Sequence, residues 1–424
     1  MTALTSPLLL PLAERRRRLA AGDLDPEEYR RELVEHIRAR DPEVRAFTDW
    51  RPGDSASPAL PWAPSVTYKD TIDVAGHPTR LGIRSGYRRY PTRSAEVADR
   101  LAGRSLVCVG KVSTTECALG TVRPSANPTY PGLSAAGSST GSAVSVAAGL
   151  CDVSVGTDSG GSLRWPAVYC GVTALRITPR PELLAGVHAV APSLESVGLV
   201  TRTPADLAWL WRTYRLATAF DLPAVPAPTR LRVAVSAPPG EPLHPELAAL
   251  LGTVRDRLAA DHDVTEPPLP ELWAVRAPAA ELLAREARDS LAPLAGVDLG
   301  TDTLRATEAG ARVDDARYAA LRERQRTAET YLADLLRTRY DIVIMPLEAD
   351  LPDRADRPAG TSVALSAGPP ALTLVANIGR LPVLALPLGH STDGSPLGVQ
   401  VLAAPGADDL LVSVAQLLTE GTHR

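Results

Sequence analysis

Lysine is almost missing from this 424-residue chain: of its 45 basic residues only Lys69 and Lys111 are lysine, and 43 are arginine. Arginine cannot be deprotonated in a protein, whereas a desolvated lysine can serve as a base. A lysine that survives such a bias carries a raised expectation of doing what arginine cannot. A surplus of positive charge is also absent. The formal net charge of −4 argues against a nucleic-acid footprint and against attraction to an anionic membrane surface. Cys108, Cys117, Cys151 and Cys170 show no C-x-x-C spacing, and all four read as reduced, mostly buried thiols of a cytoplasmic protein. The seven histidines are scattered, none at metal-ligand spacing from another, so zinc hydrolysis is disfavoured and no metal or cofactor is expected. No membrane span is expected either: the stretch 372–388 is interrupted by Asn377 and Arg380. The short Pro7–Leu12 run has its basic cluster, Arg15 to Arg18, on the wrong side for a signal peptide.

What is present is ordinary for a globular enzyme: 45% apolar and 22% charged residues, enough to bury a large core. Helix and strand patterns alternate throughout. Asp25-Pro26-Glu27-Glu28 and Thr203-Pro204-Ala205-Asp206 are helix starts, each with a capping side chain and a first-turn proline. Strands are read at 105–109, 153–155, 231–235, 341–345, 383–388 and 398–402. Helices are read at 26–40, 94–101, 142–150 and 408–418, with a mostly helical block over 245–340. The seams Trp209/Trp211 and Leu410/Val414/Leu417 read as core. No repeat is visible, and the proline-rich stretches are too short for free linkers. The expectation is an α/β fold: one large domain over 1–424 with a mixed, mostly parallel sheet covered by helices on both faces.

Three segments carry candidate chemistry. Val66 to Gly76 delivers Lys69 beside two acids, Asp70 and Asp73, from an apolar-flanked stretch; the plain alternative is an exposed lysine. Ala136-Gly137-Ser138-Ser139-Thr140-Gly141-Ser142 opens a small-residue helix and is by itself no more than a cap. In Gly156-Thr157-Asp158-Ser159-Gly160-Gly161-Ser162-Leu163-Arg164 the glycines let the backbone turn sharply and aim successive N–H groups into one concavity. A tight turn or a phosphate cradle is the alternative. A Walker-type loop is excluded because the glycine six residues before a lysine is missing at both lysines.

Together these segments closely resemble the amidase signature family. The resemblance extends from Glu35–Ala46 through Cys170–Arg176, Ser196–Thr203 and Asp341–Pro346 to Pro396–Val401. Its core is a lysine, a Gly-Ser-Ser run and a Gly-Gly-Ser in this order, with the two key serines 24 positions apart. It implies an amidohydrolase in which Ser162 is the nucleophile, Ser138 a proton bridge preceded by a cis peptide bond, and Lys69 the base. It also implies that the N–H groups of Ser159, Gly160, Gly161 and Ser162 form an oxyanion hole, with Gly137, Ser139, Asp158 and Arg164 in support. The implied layout is an N-terminal helical segment over 10–50, a signature core over 62–204, a variable helical substrate region over 245–340, and C-terminal strands and a helix over 341–420.

This chemistry is coherent. A serine hydroxyl needs an adjacent base, a lysine serves only when neutral, and burial lowers its pKa toward neutrality. Departures from the family concern the substrate: Thr140 stands at a usual glycine and is expected to narrow the pocket beside Ser138. The four-proline stretch before Val66 has the look of a lost helix, and Pro346-Leu347-Glu348-Ala349 replaces a threonine- and proline-rich segment. The resemblance also assigns the acyl pocket to the helical block near 266–340 and to 346–370. Glu348 and Asp350 there point to a polar or cationic substrate, or are simply solvated.

Other readings stay open. The acyl group could pass to an amine, making an amide-forming acyltransferase. A non-catalytic scaffold or complex member is a third reading, against which the intact Lys69, Ser138 and Ser162 argue. The family's component that works on misacylated tRNA is disfavoured for want of a basic face. Gly137–Gly141 literally satisfies G-x-S-x-G, with Ser139 as nucleophile and a later Asp and His390 as partners, yet a turn-rich loop and no strand precedes it. Lys111 reads as a structural ion pair or a contact at the start of a helix near Glu116. The expected partner is a small-molecule amide, with no nucleic acid and no membrane; a homodimer is compatible.

Overall fold

A computed structural model describes residues 6–225, 227–356 and 371–419. Eleven strands form one sheet: β1 (Phe47–Asp49), β2 (Ser65–Lys69), β3 (Val107–Val112), β4 (Val153–Asp158), β5 (Thr173–Arg176), β6 (Ser196–Thr201), β7 (Arg232–Val235), β8 (Asp263–Thr265), β9 (Ile342–Pro346), β10 (Val383–His390) and β11 (Pro396–Ala403). Their order is β1-β3-β2-β4-β6-β5-β10-β11-β9-β7-β8. The expected single mixed α/β domain is present, with a smaller parallel share than expected. Parallel pairing is confined to β3-β2-β4 and β9-β7-β8. The remaining pairings are antiparallel. β10 and β11 are joined by a short turn, which permits only antiparallel pairing, whereas β2, β3 and β4 are joined by long crossovers.

Alternation along the strands feeds both faces. Val66, Tyr68, Val153, Val155, Leu384 and Leu386 enter one apolar cluster with Leu207, Leu210 and Trp211. The intervening Val200 and Ala385 pack on the other face against Ala143, Val144 and Ala167. A separate cluster built on Leu282, Leu283, Ala306 and Leu321 forms a helical lobe that also holds Leu81, Val190 and Leu194. Both sides of most strands are therefore buried.

The sequence pattern does not reveal strands β1, β2, β5 and β6, and β8 interrupts the block expected to be helical. β3 starts and ends later than the stretch 105–109, so Lys111 lies inside a strand, where it makes the expected structural ion pair, with Asp70 at 3.1 Å. A one-turn helix, Pro52–Ser55, survives in the four-proline region. The expected helix caps are in place: Asp25 accepts from Glu27 N and Thr203 from Asp206 N. No helix among the described residues is long and apolar enough to cross a membrane, and all four cysteines are free.

The N-terminal helix Leu12–Ala21 is pinned to the sheet by a buried pair. Arg15 donates to both oxygens of Asp152 at 2.6 Å, and Asp152 also accepts from Ser65 N and Oγ. Removing one member leaves an uncompensated buried charge. Arg15→Ala is expected to lower the free energy of unfolding by about 3–5 kcal/mol. Urea denaturation measures this, and a wild-type midpoint would contradict the role.

Candidate active site

Parallel strands in an α/β sheet present their carboxyl ends at one edge, where ligand sites are commonly built. Lys69 is the last residue of β2, and Thr157-Asp158 closes the neighbouring parallel strand β4. The chain after β4 forms the glycine loop and then the helix Arg164–Tyr169. The helix Thr140–Ala147 packs against β4 and brings Ser138 to the same edge. The Gly137–Ser138 peptide bond is cis, as the resemblance implies.

Lys69 Nζ donates to Ser138 Oγ at 2.7 Å and to Thr157 Oγ1 at 2.8 Å. Its side chain is fully buried with no carboxylate in contact among the described residues, and burial lowers its pKa from 10.5 to about 8 against the more distant pull of Glu195 and Asp158. Ser162 Oγ, partly exposed, donates to the Thr157 carbonyl at 3.0 Å. Among the described residues no hydrogen bond joins Ser138 Oγ to Ser162 Oγ. Both serines line one cavity of about 260 Å³.

The glycine loop hangs on a buried ion pair. Arg164 donates to both oxygens of Asp158 at 2.9 Å, and further to Thr373 O, Gln400 Oε1 and Asn377 Oδ1. Burial works to raise the Asp158 carboxyl. Arg164 above all, with Arg176 and Asn377, outweighs it and holds the group well below the usual carboxylate range. Asp158 Oδ1 in turn accepts from Gly161 N at 2.8 Å, which corrects the expected oxyanion hole: the Gly161 N–H is turned inward to anchor the loop. The N–H groups of Ser159, Gly160 and Ser162 find no acceptor among the described residues. Gly161 has φ +113°, and a Cβ there would stand 2.6 Å from Thr373 Oγ1, which itself donates to Gly160 O. Only glycine fits.

Ser139 is fully buried, donates to Thr157 O and accepts from Thr157 N, so it braces β4 and, unlike Ser162, does not line the cavity. Gly137 lines the cavity. Thr140 does not: its hydroxyl turns back to Ala136 O at 2.8 Å, so the expected narrowing beside Ser138 is absent. Glu348 and Leu283 line the cavity, as the expected pocket segments require, while Asp350 is exposed and Asp353 takes its place on the wall. The remainder of the expected pocket segment, 357–370, lies outside the described residues. Among the described residues no group of His, Cys, Asp and Glu side chains could hold a metal ion.

Sequence reasoning missed Thr157, Glu195, Thr373, Asn377 and Gln400. Glu195 accepts from Ser159 Oγ and from Val190 N, and burial raises its carboxyl despite Lys69 nearby. Signals existed for two of them. Asn377 interrupts an otherwise apolar stretch, and Gln400 sits between Val399 and Val401 in a strand buried on both faces.

A family model described as amidase matches residues 65–412. The chain belongs to the amidase signature family. It is thus an enzyme of a family acting on amide C–N bonds. A glutamyl-tRNA(Gln) amidotransferase subunit from Synechococcus sp. (strain RCC307) is 28% identical, covering 94% of each chain. Indoleacetamide hydrolase of Pseudomonas savastanoi is 36% identical over 39% of this chain and 38% of its own. Among solved structures, an amidase superposes with TM-score 0.83 at 24% identity, covering 97% of this chain and 99% of that one. The 6-aminohexanoate cyclic dimer hydrolase complexed with substrate gives TM-score 0.82 at 24% identity over 99% and 98%. These two likenesses speak for the fold alone.

The five hydrogen bonds of Arg164 exceed what an ammonium can supply. Arg164→Lys is expected to strand at least two buried acceptors and destabilise this amidase family member by about 2–6 kcal/mol, at about 1–3 kcal/mol each. Thermal and chemical unfolding test it; an unchanged midpoint would show that charge alone suffices.

Proposed function

We propose that this enzyme hydrolyses a carboxamide or related C–N acyl bond through an acyl-enzyme at Ser162. The observation that carries the reading is the 2.7 Å contact between a fully buried Lys69 amine and Ser138, opening onto the cavity that also holds Ser162. With Lys69 neutral, Ser162 swings from the Thr157 carbonyl toward Ser138, a rotation about its Cα–Cβ bond. Ser138 takes the Ser162 proton as it passes its own to Lys69, and Ser162 Oγ attacks the carbonyl carbon. The oxyanion settles against the unpaired N–H groups of Ser159, Gly160 and Ser162. Losing one such donor commonly costs about 3–4 kcal/mol in the barrier. Collapse expels the amine, which takes the proton back through Ser138, and water then cleaves the ester.

A second reading keeps the acyl-enzyme and changes the acceptor. An amine in place of water would take the acyl group from Ser162 and return a new amide. Amides offered with and without amine acceptors separate the two.

A fluorophosphonate probe is expected to label Ser162 alone, as peptide mapping would show, and Ser162→Ala to abolish labelling; label on Ser139 would favour the decoy. Because the base must be uncharged and burial places Lys69 at about 8, kcat/KM should rise with pH and level off above that value. Lys69→Arg keeps the charge but cannot lose its proton, so acylation should fall by about a hundredfold or more. Turnover by that variant at the wild-type rate would refute the assignment.

A further inference from the structure

We propose that the substrate carries a positively charged amine or guanidinium at the far end of the cavity, with Glu348 as its counter-ion. This rests on the reading of Ser162 as nucleophile. Trp165 and Tyr169 lie four residues apart on one face of the helix Arg164–Tyr169, and both line the cavity that Ser162 opens onto. Tyr169 lies one turn, roughly 6 Å, beyond Trp165 along the helix axis at 1.5 Å per residue. Its hydroxyl donates to Glu348 Oε2 at 2.7 Å, and Glu348 Oε1 has no partner among the described residues.

Of the other acids around Glu348, Asp353 and Glu241 already have a cation. Asp353 takes Arg123 Nη2 at 3.3 Å. Asp350 is exposed and bonds Leu351 N. Glu241, across the small adjoining cavity that Glu348 also borders, is paired with Arg276. Among the described residues, one acid on the wall is left without a cation. An anionic ligand would face Glu348 and Asp353 with Arg123 already engaged, and an apolar one would leave Glu348 unpaired in a low dielectric. Thr115 Oγ1, buried and without a partner among the described residues, adds a neutral polar atom to the lining. The cavity of about 260 Å³ suits a small molecule with a short aliphatic chain between amide and cation.

Burial, reinforced by Asp353 and Asp350 and opposed by Tyr169, raises the Glu348 carboxyl to about 8. The arrival of a cation would ionise it and release its proton. Cation affinity should therefore strengthen as pH rises toward 8. Lys69, titrating in the same range, contributes to that trend, so the variant is measured alongside.

The experiment compares kcat/KM for δ-aminovaleramide, δ-hydroxyvaleramide and glutaramic acid, which share a backbone and differ in terminal charge. The ammonium amide is expected to be preferred, and Glu348→Gln to lower the ammonium-to-hydroxyl ratio about 30-fold, the low end for truncating one partner of a buried charge pair. Glutamine keeps a hydrogen-bond donor, so an unchanged ratio would assign Glu348 to neutral recognition and overturn the proposal. Wild-type protein gives an independent arm: n-butylammonium should protect Ser162 from the fluorophosphonate and n-butanol should not. Equal protection by both, or a preference for the hydroxyl amide with Ser162 still labelled, would sink the cation site and leave the amidase reading standing. Failure of any probe to label Ser162 would remove that reading first.

Discussion

The Asp158–Arg164 ion pair is the constraint on which the site depends. A buried pair contributes little net stability by itself, because desolvation offsets attraction. Here the guanidinium also reaches Thr373, Asn377 and Gln400, joining the end of β4 to β11 and to the short helix Leu374–Ile378. Asp158 in turn captures the Gly161 and Leu163 N–H groups, while those of Ser159, Gly160 and Ser162 find no acceptor among the described residues. The pair's main effect is geometric: it fixes the path of the loop from β4 into the helix that follows.

The two kinds of cation in this chain divide the work by chemistry. Arg164 is surrounded by acceptors and stays charged. Among the described residues Lys69 meets only hydroxyls within hydrogen-bonding distance, so the cost of burying its charge is not repaid. The nearest carboxylate to matter, Glu195, spends its contact on Ser159 and Val190 N, and Lys69 receives only a longer-range attraction. The same desolvation therefore ends in a fixed ion at one position and a titratable amine at another.

Local chemistry was legible in the sequence and long-range chemistry was not. Lys69, Ser138 and the loop from Asp158 to Ser162 lie in short motifs, and the helix caps at Asp25 and Thr203 are contiguous with what they cap. The partners of Arg164 lie 213 and 236 residues away at Asn377 and Gln400, and nothing in a single sequence ties them together. Strands β2, β5 and β6 are short and buried on both faces, so they lack the polar alternation that marks a half-exposed strand. Helix–strand alternation overstates the parallel share of the sheet, because it does not register that β10 and β11 form a hairpin. The inward turn of the Gly161 N–H is equally silent, since main-chain direction inside a glycine loop leaves no trace in residue identity.

The near absence of lysine has a chemical consequence on the outside of the molecule. Lys69 and Lys111, the only lysines, are both fully enclosed, so the folded surface offers no ε-amino group to an electrophile. Activated esters therefore meet no lysine on the folded protein. By the same token, any amine-directed reagent that does mark either lysine reports a breathing motion of the sheet edge.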